Sequence, residues 1–249
     1  MDRRSVTPAI SWADNRNSAL RCLTKEDIAA FSAHATSVTL RSGEVLYEPE
    51  RAVEWVYFPI TCVLSVVNVM RDGRTVESAT VGRESVVGVL NALGSRDAVN
   101  RTLVQIAGEA IRLPAGRLNE VALTRPGLMN LLLRHTQANL AQAHQSVACN
   151  ALHPVNARLC RWLLLSEDRT GSPIVPLTQD YLATMLGVQR TTVTQAMRVL
   201  KAGNLISYSR GKIRIADRQG IEDLACECYE VGQAQLDRLV FEDLSKGRD

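Results

Sequence analysis

With 249 residues, 46% hydrophobic and 22% charged positions and a net charge of +3, the chain has ordinary globular composition and enough length for one or two domains. No apolar run approaches the roughly 20 residues that cross a bilayer, and the opening stretch MDRRSVTPAISWADNRNS lacks an apolar signal core; a cytoplasmic protein without membrane contact is predicted. The charge is unevenly divided: residues 153–215 carry nine Lys or Arg against three acids, whereas the tail from 217 onward holds nine acids and four bases.

Residues 1–19 read as a mobile leader. Thr24, followed by Lys25, Glu26 and Asp27, resembles a capping box opening a short helix with Ile28 and Phe31 inward. The hydrophobic period then changes from helical to twofold. Short strands are predicted at 38–40, 44–47, 55–58, 63–69, 75–81, 101–106 and 110–113, with a hairpin turn at Arg71-Asp72-Gly73-Arg74 and a connecting segment around 86–93. Many short antiparallel strands at regular spacing predict a compact β-barrel over residues 20–125. After Pro126 the pattern is helical to residue 152. Met129, Leu133, Thr136, Leu140, Ala143, Val147 and Asn150 recur at alternating spacings of four and three, a coiled-coil seam that predicts a homodimer. A helix packed on its own barrel is the competing reading. His153-Pro154 punctuates this helix, and another with Leu159, Trp162, Leu163 and Leu165 apolar opens a second domain, residues 153–216.

The stretch from Leu177 to Leu205 reads as two short helices joined by a tight turn. Thr178 caps the first, with Asp180 in its first turn. Leu182, Ala183 and Leu186 share one face, and Gly187 supplies the left-handed turn. Val193, Met197 and Leu200 form the inward stripe of the second. Its outward face carries Gln189, Arg190, Thr191, Thr192, Thr194, Gln195 and Arg198, side chains suited to base edges and phosphates. Gly203 and Asn204 end that helix, and two alternating segments, 205–208 and 213–215, flank the basic turn Ser209-Arg210-Gly211-Lys212. Helix, turn, helix and basic hairpin describe a winged helix. Residues 181–216 hold six Lys or Arg and no acid, the footprint of a phosphate-binding face, against which stands a merely solvated basic surface.

In the tail, 217–249, the stripe Ile221, Leu224, Ala225 and Cys228 suggests a further helix. Gly232 interrupts it, Leu236, Leu239 and Val240 resume it, and packing on the wing or on a dimer partner is expected. The six cysteines are scattered and argue against a disulfide framework. Only Cys226-x-Cys228 is close-set; on a helix that spacing points the two side chains about 200° apart, so no metal site is predicted. His34, His135, His144 and His153 read as surface or helix residues. No G-x-S-x-G, H-E-x-x-H, Walker loop or Gly-rich dinucleotide turn is present, so no enzyme is predicted.

Barrel, helix and winged helix in this order, with LTQDYLATMLGVQRTTVTQAMRVLKAGNLI as the DNA-binding signature, resemble the Crp/Fnr family of bacterial transcription regulators over roughly residues 20–216. The resemblance implies an α+β chain: an N-terminal double-stranded β-helix (a jelly-roll-like β-barrel), a long dimerisation helix and a C-terminal winged helix-turn-helix domain. It further implies a homodimer on a two-fold symmetric promoter site in double-stranded DNA, with RNA polymerase as partner. Arg190 falls on the family's base-reading arginine and Thr192 on its phosphate-contacting threonine. Thr191 stands where cyclic-AMP-responsive members have glutamate, and Gln195 where they have a second arginine, which changes the bases that can be read. Arg190 and Gln195 are expected at bases; Thr178, Thr192, Arg198, Arg210 and Lys212 are expected at phosphates. The family's cyclic nucleotide site has its nearest matches in Gly82-Arg83-Glu84 and Arg101-Thr102-Leu103. There the glutamate is displaced by one, a leucine replaces the alanine and Arg83 adds a cation. Cyclic AMP is therefore not expected, the effector is left open, and no cofactor is predicted; no N-terminal cysteine cluster suits an iron-sulfur centre. The rival class, a cyclic-nucleotide-binding-like interaction module without DNA function, would lack the basic winged helix.

Overall fold

The structure, a computed structural model, describes residue 10 and residues 16–242. Most of the predicted leader lies outside the described residues, but its end is fixed in place. Asn17 caps a short helix α1 (Ser18–Arg21): its Oδ1 accepts from the Leu20 N–H at 3.1 Å, and its Nδ2 donates to the carbonyls of Pro59 (2.9 Å) and Ser85 (2.8 Å). Ala19 and Leu20 are buried as a result. Helix α2 (Lys25–Ser32) begins with the predicted capping box, the Thr24 hydroxyl accepting from the Asp27 N–H while the Asp27 carboxylate accepts from the Thr24 N–H.

Seven strands follow: β1 (Thr36–Leu40), β2 (Val45–Tyr47), β3 (Trp55–Pro59), β4 (Val63–Val69), β5 (Thr75–Val81), β6 (Arg101–Ile106) and β7 (Gly108–Pro114), with helix α3 (Val89–Leu93) between the fifth and sixth. They pair antiparallel in two sheets, of order β1-β7-β3 and β2-β6-β4-β5. Between the sheets Tyr47, Tyr57, Leu64, Val104 and Ala110 are buried together. The β4–β5 turn falls where Asp-Gly predicts it, Gly73 taking φ 84° and the Asp72 carboxylate accepting from the Arg74 N–H. Strand β4 reads Val-Leu-Ser-Val-Val rather than alternating because both of its faces are covered: Leu64 points between the sheets, whereas Val63 joins Ile106 in the core of the second domain.

Helix α4 (Ala115–Thr124) leads into α5 (Pro126–Leu152), as long as the sequence predicts. The second domain comprises α6 (Val155–Thr170), β8 (Ile174–Val175), α7 (Gln179–Leu186), α8 (Arg190–Ala202), β9 (Ile206–Ser209) and β10 (Lys212–Ile215). Its three strands pair in the order β8-β10-β9, so the predicted hairpin has an unforeseen third strand.

The tail forms α9 (Arg218–Leu224), α10 (Cys228–Leu236) and a π-helical turn (Asp237–Glu242). Of the expected packing, the wing part is met by Ile221, buried with Ile206, Ile213 and Ile215 of β9 and β10, and the tail also covers elements the sequence does not point to. Helix α9 lies on α6, and α10 and the π-helical turn run along α5 of the same chain, where Val240 is buried against Leu131 and Ala138. The objection to Cys226 and Cys228 as joint ligands also falls, because the two do not share a helix: Ala225 to Glu227 form the bend between α9 and α10. Of the histidines read as surface or helix residues, His135 is a helix residue. It is buried on α5 with its Nδ1 3.3 Å from the Ser85 hydroxyl, and burial lowers its pKa to about 4, so it is neutral near pH 7.

Candidate nucleic-acid interface

The two helices of the reading unit are set by local chemistry. The Thr178 hydroxyl accepts from the Tyr181 N–H at 3.2 Å and starts α7. Gly187 at φ 64° ends it, with the Val188 N–H donating to the Ala183 carbonyl at 3.0 Å. That turn lets α8 fold back so that Val193, Ala196, Met197 and Leu200 are buried with Leu182, Ala183 and Leu186. Burying four such side chains contributes on the order of 1.5–3 kcal/mol for each of the larger ones.

What α8 leaves outward is polar apart from Val199. Gln189, Arg190, Thr191, Gln195 and Arg198 are exposed and Thr192 is half-buried. Arg190 lies 3.3 Å from the Asp180 carboxylate, both side chains about two-thirds exposed. An ion pair this open is worth at most about 1 kcal/mol and gives way readily to a better partner. Thr194 drops out of the reading face: its hydroxyl donates to Gln179 Oε1 at 2.8 Å and ties α8 to α7.

The wing turn, with Arg210 at φ 50° and Gly211 at φ 74°, is the two-residue turn that matches strand twist. A Cβ on Gly211 would lie 3.7 Å from the Thr178 methyl, so the wing tip sits beside the start of α7. Thr178, Arg210 and Lys212 are all exposed. Sequence reasoning omitted Arg214, which is exposed on the same side of β10 as Lys212 while Ile213 and Ile215 are buried. The strict alternation Lys-Ile-Arg-Ile was the available signal. It also omitted Val199, 58% exposed one turn beyond Gln195 on α8.

The reading domain is seated on the barrel through Glu77 of β5. Trp162 Nε1 donates to its carboxylate at 3.3 Å, Ser65 Oγ at 2.5 Å and Gln105 Nε2 at 2.9 Å. Burial raises the Glu77 carboxyl from 4.5 to about 7, against the opposing pull of the Ser65 hydrogen bond and the Arg169 charge. A pKa raised on folding means the folded state binds the proton more tightly. The contribution to stability is therefore complete below about pH 4.5 and is lost as pH rises through about 7. Glu77→Gln keeps an acceptor for Trp162 but cannot ionise. Melting temperatures between pH about 5 and about 8 should fall less in this variant than in the wild type; parallel curves would exclude Glu77 as the titrating group.

The five residues matched to a cyclic nucleotide site are not brought together. Thr102 lines a cavity of about 450 Å³ between barrel and α5, bounded also by Tyr47, Val81, Val87, Asn100 and Leu140. Arg101, next along the strand, points the other way and pairs with Glu48 at 2.9 Å. Glu84 accepts from Arg169 of α6 at 2.8 Å and from the Gly82 N–H at 3.0 Å, so its carboxylate is already engaged. A Cβ on Gly82 would come within 2.4 Å of the Arg169 side chain; the glycine makes room for that arginine. Arg83 lies outside the cavity, its carbonyl accepting from the Ser18 N–H. Among the described residues no Lys or Arg lines the cavity, and Asp97 is the one charged side chain on its wall.

Residues 157–224 match the family described as Crp-like helix-turn-helix domain. Over 186 residues, 71% of this chain and 83% of the other, the sequence is 24% identical to the Global nitrogen regulator of Synechocystis sp.. Over 106 residues, 40% of this chain and 52% of the other, it is 29% identical to the Transcriptional regulator SdrP of Thermus thermophilus. The solved structure of FixK2 from Bradyrhizobium japonicum shares the fold at a TM-score of 0.66 and 20% identity, covering 77% of this chain and 98% of that one.

Proposed function

We propose that the chain is a DNA-binding transcription regulator of the Crp/Fnr type, not an enzyme, and that it acts as a homodimer on a two-fold symmetric site; the match of residues 157–224 to the Crp-like helix-turn-helix domain and the likeness to a nitrogen regulator support this. The observation that carries this is the exposed face of α8, which offers Arg190, Gln195 and Arg198 from a helix whose opposite side is fully packed. In each subunit α8 enters a major groove. Arg190 and Gln195 face base edges, and Thr178, Thr192, Arg198, Arg210 and Lys212 hold phosphates, with Gln189 and Thr191 at the groove's rim. Pairing along α5 is supported by Leu133, Leu140 and Val147, which recur every seven residues and are exposed in the single chain. The site lies at promoters in the cytoplasm, where RNA polymerase is the further partner; among the described residues no helix is long and apolar enough to cross a membrane.

The cavity under α5 is proposed as the effector site, for a neutral and mainly apolar ligand. A cyclic phosphate would find no cation on its walls among the described residues, and would face the Asp97 carboxylate. Thr136, Leu140 and Ala143 belong both to the cavity wall and to the α5 seam, so a ligand there would bear on how two helices pack.

Selecting bound duplexes from a random pool tests the reading. The expected result is a pseudo-palindrome with half-sites centred about one DNA turn, roughly 34–36 Å, apart, occupied by two chains, unaffected by saturating cyclic AMP. Recovery of single half-sites, or of no preferred sequence, would contradict it.

A further inference from the structure

The proposed function makes no use of four side chains gathered where α5 meets the tail. Cys149 lies in the last turn of α5, and His153, four residues on, caps it. Cys226 sits in the bend after α9, and Cys228 opens α10. One ligand atom from each of the four lies within 4.8 Å of the other three. The sulfurs of Cys149 and Cys226 are 3.5 Å apart, and Cys228 Sγ is 3.5 Å from His153 Nδ1. In a tetrahedral zinc site with Zn–S near 2.3 Å and Zn–N near 2.0–2.1 Å, ligand atoms stand about 3.5–3.8 Å from one another. We propose that Cys149, His153, Cys226 and Cys228 bind one zinc ion per chain.

The surroundings fit that assignment. All three cysteines are buried, and the His153 side chain is 20% exposed. Glu227 Oε2 lies 3.2 Å from His153 Nε2. A carboxylate there accepts the Nε2–H and leaves the Nδ1 lone pair facing the sulfurs, the outer-shell arrangement common to zinc-bound histidines. Gln145 Nε2 donates to Cys228 Sγ at 3.0 Å, and Arg161 Nη1 is 3.9 Å from Cys149 Sγ. Binding replaces three thiol protons, which pass to solvent, by one divalent cation. Three thiolates and that cation leave one net negative charge, and the Arg161 guanidinium answers it.

Four protein ligands close the shell, so the ion holds structure and has no open position for chemistry. What it holds is the joint. Two ligands come from the end of α5 just before the reading domain, and two from the tail that lies along α5 and α6. An iron-sulfur cluster would place several atoms between its thiolates and spread them further than these are spread. A Cys149–Cys226 disulfide would remove two of the ligands.

The test uses the full chain, purified under reductant, stripped with a chelator, then reloaded separately with Zn2+ and with Co2+ and desalted. About one zinc per chain should be retained, and cobalt should give the visible bands of a tetrahedral ion with thiolate charge transfer. Cys226→Ser should fall below about a tenth of an equivalent. Cys22→Ser, remote from the cluster, should keep the full amount. His153→Cys should keep one equivalent with shifted cobalt bands, which decides the matter even if Cys226→Ser fails to fold. The assignment is overturned by wild-type protein that takes up no zinc, by uptake unchanged in Cys226→Ser, by an iron-sulfur chromophore, or by a Cys149–Cys226 disulfide in reduced preparations. Metal content is read without DNA, so its outcome is independent of the operator experiment.

Discussion

Leu140→Glu is expected to leave the protein monomeric and to weaken its binding to a duplex with two half-sites by roughly 10²–10⁴-fold, the avidity that a second linked contact supplies. The expectation comes from two distinct apolar faces on α5. Leu128, Leu131, Leu132 and Ala138 are buried within the chain, whereas Leu133, Leu140 and Val147 stand 55%, 55% and 71% exposed. Packing on the barrel uses the first face and leaves the second open. The two competing readings of this helix therefore divide its residues, Met129 of the seam going to the barrel core and Leu133, Leu140 and Val147 staying open. A carboxylate at 140 would meet its symmetry mate across a desolvated seam, where an unpaired charge costs several kcal/mol. Light scattering gives the mass and titration with duplex gives the affinity. A variant that stays dimeric and binds as the wild type does would place the interface elsewhere.

Arg190→Ala should cost on the order of 1–3 kcal/mol per half-site and relax the preference at one base position. Arginine is the side chain that pairs bidentately with guanine O6 and N7, and Arg190 stands at the first position of α8, where the end of a recognition helix meets base edges. Its present partner, Asp180, holds it only across an exposed 3.3 Å contact. Affinity measured on duplexes that differ at single positions separates the outcomes. Loss confined to sequences bearing the preferred base is expected; equal loss on every sequence would make Arg190 a phosphate contact.

The reading domain is legible in the sequence because its signals are local. Thr178 caps three residues ahead, Gly187 turns in place, and the Val193, Met197, Leu200 stripe repeats within one helix. The barrel strands are legible for the same reason, through period two and turn residues. Where distant segments meet, the pattern carries no such information. Asn17 is anchored to carbonyls 42 and 68 residues away, and Glu84 meets an arginine 85 residues on and stands outside the cavity that Thr102 lines. Strand β8 has two residues, too few to show a period. The Cys226-x-Cys228 spacing reads as helical because the stripe from Ile221 to Cys228 runs on through Ala225 to Glu227, where the chain in fact bends. A bend of three residues leaves the hydrophobic spacing nearly intact while it reverses where the sulfurs point.

The central claim is that α8 reads sequence rather than charge alone. The most direct measurement is the ratio of affinities for a selected duplex and its scrambled counterpart, followed as salt is raised. The phosphate contacts proposed for Arg198, Arg210 and Lys212, with the exposed Arg214 beside them, should weaken together on both duplexes, so the ratio should hold at about 10³ or more while both affinities fall. A ratio near one at every salt concentration would mean that the basic face binds any duplex, and the account would fail.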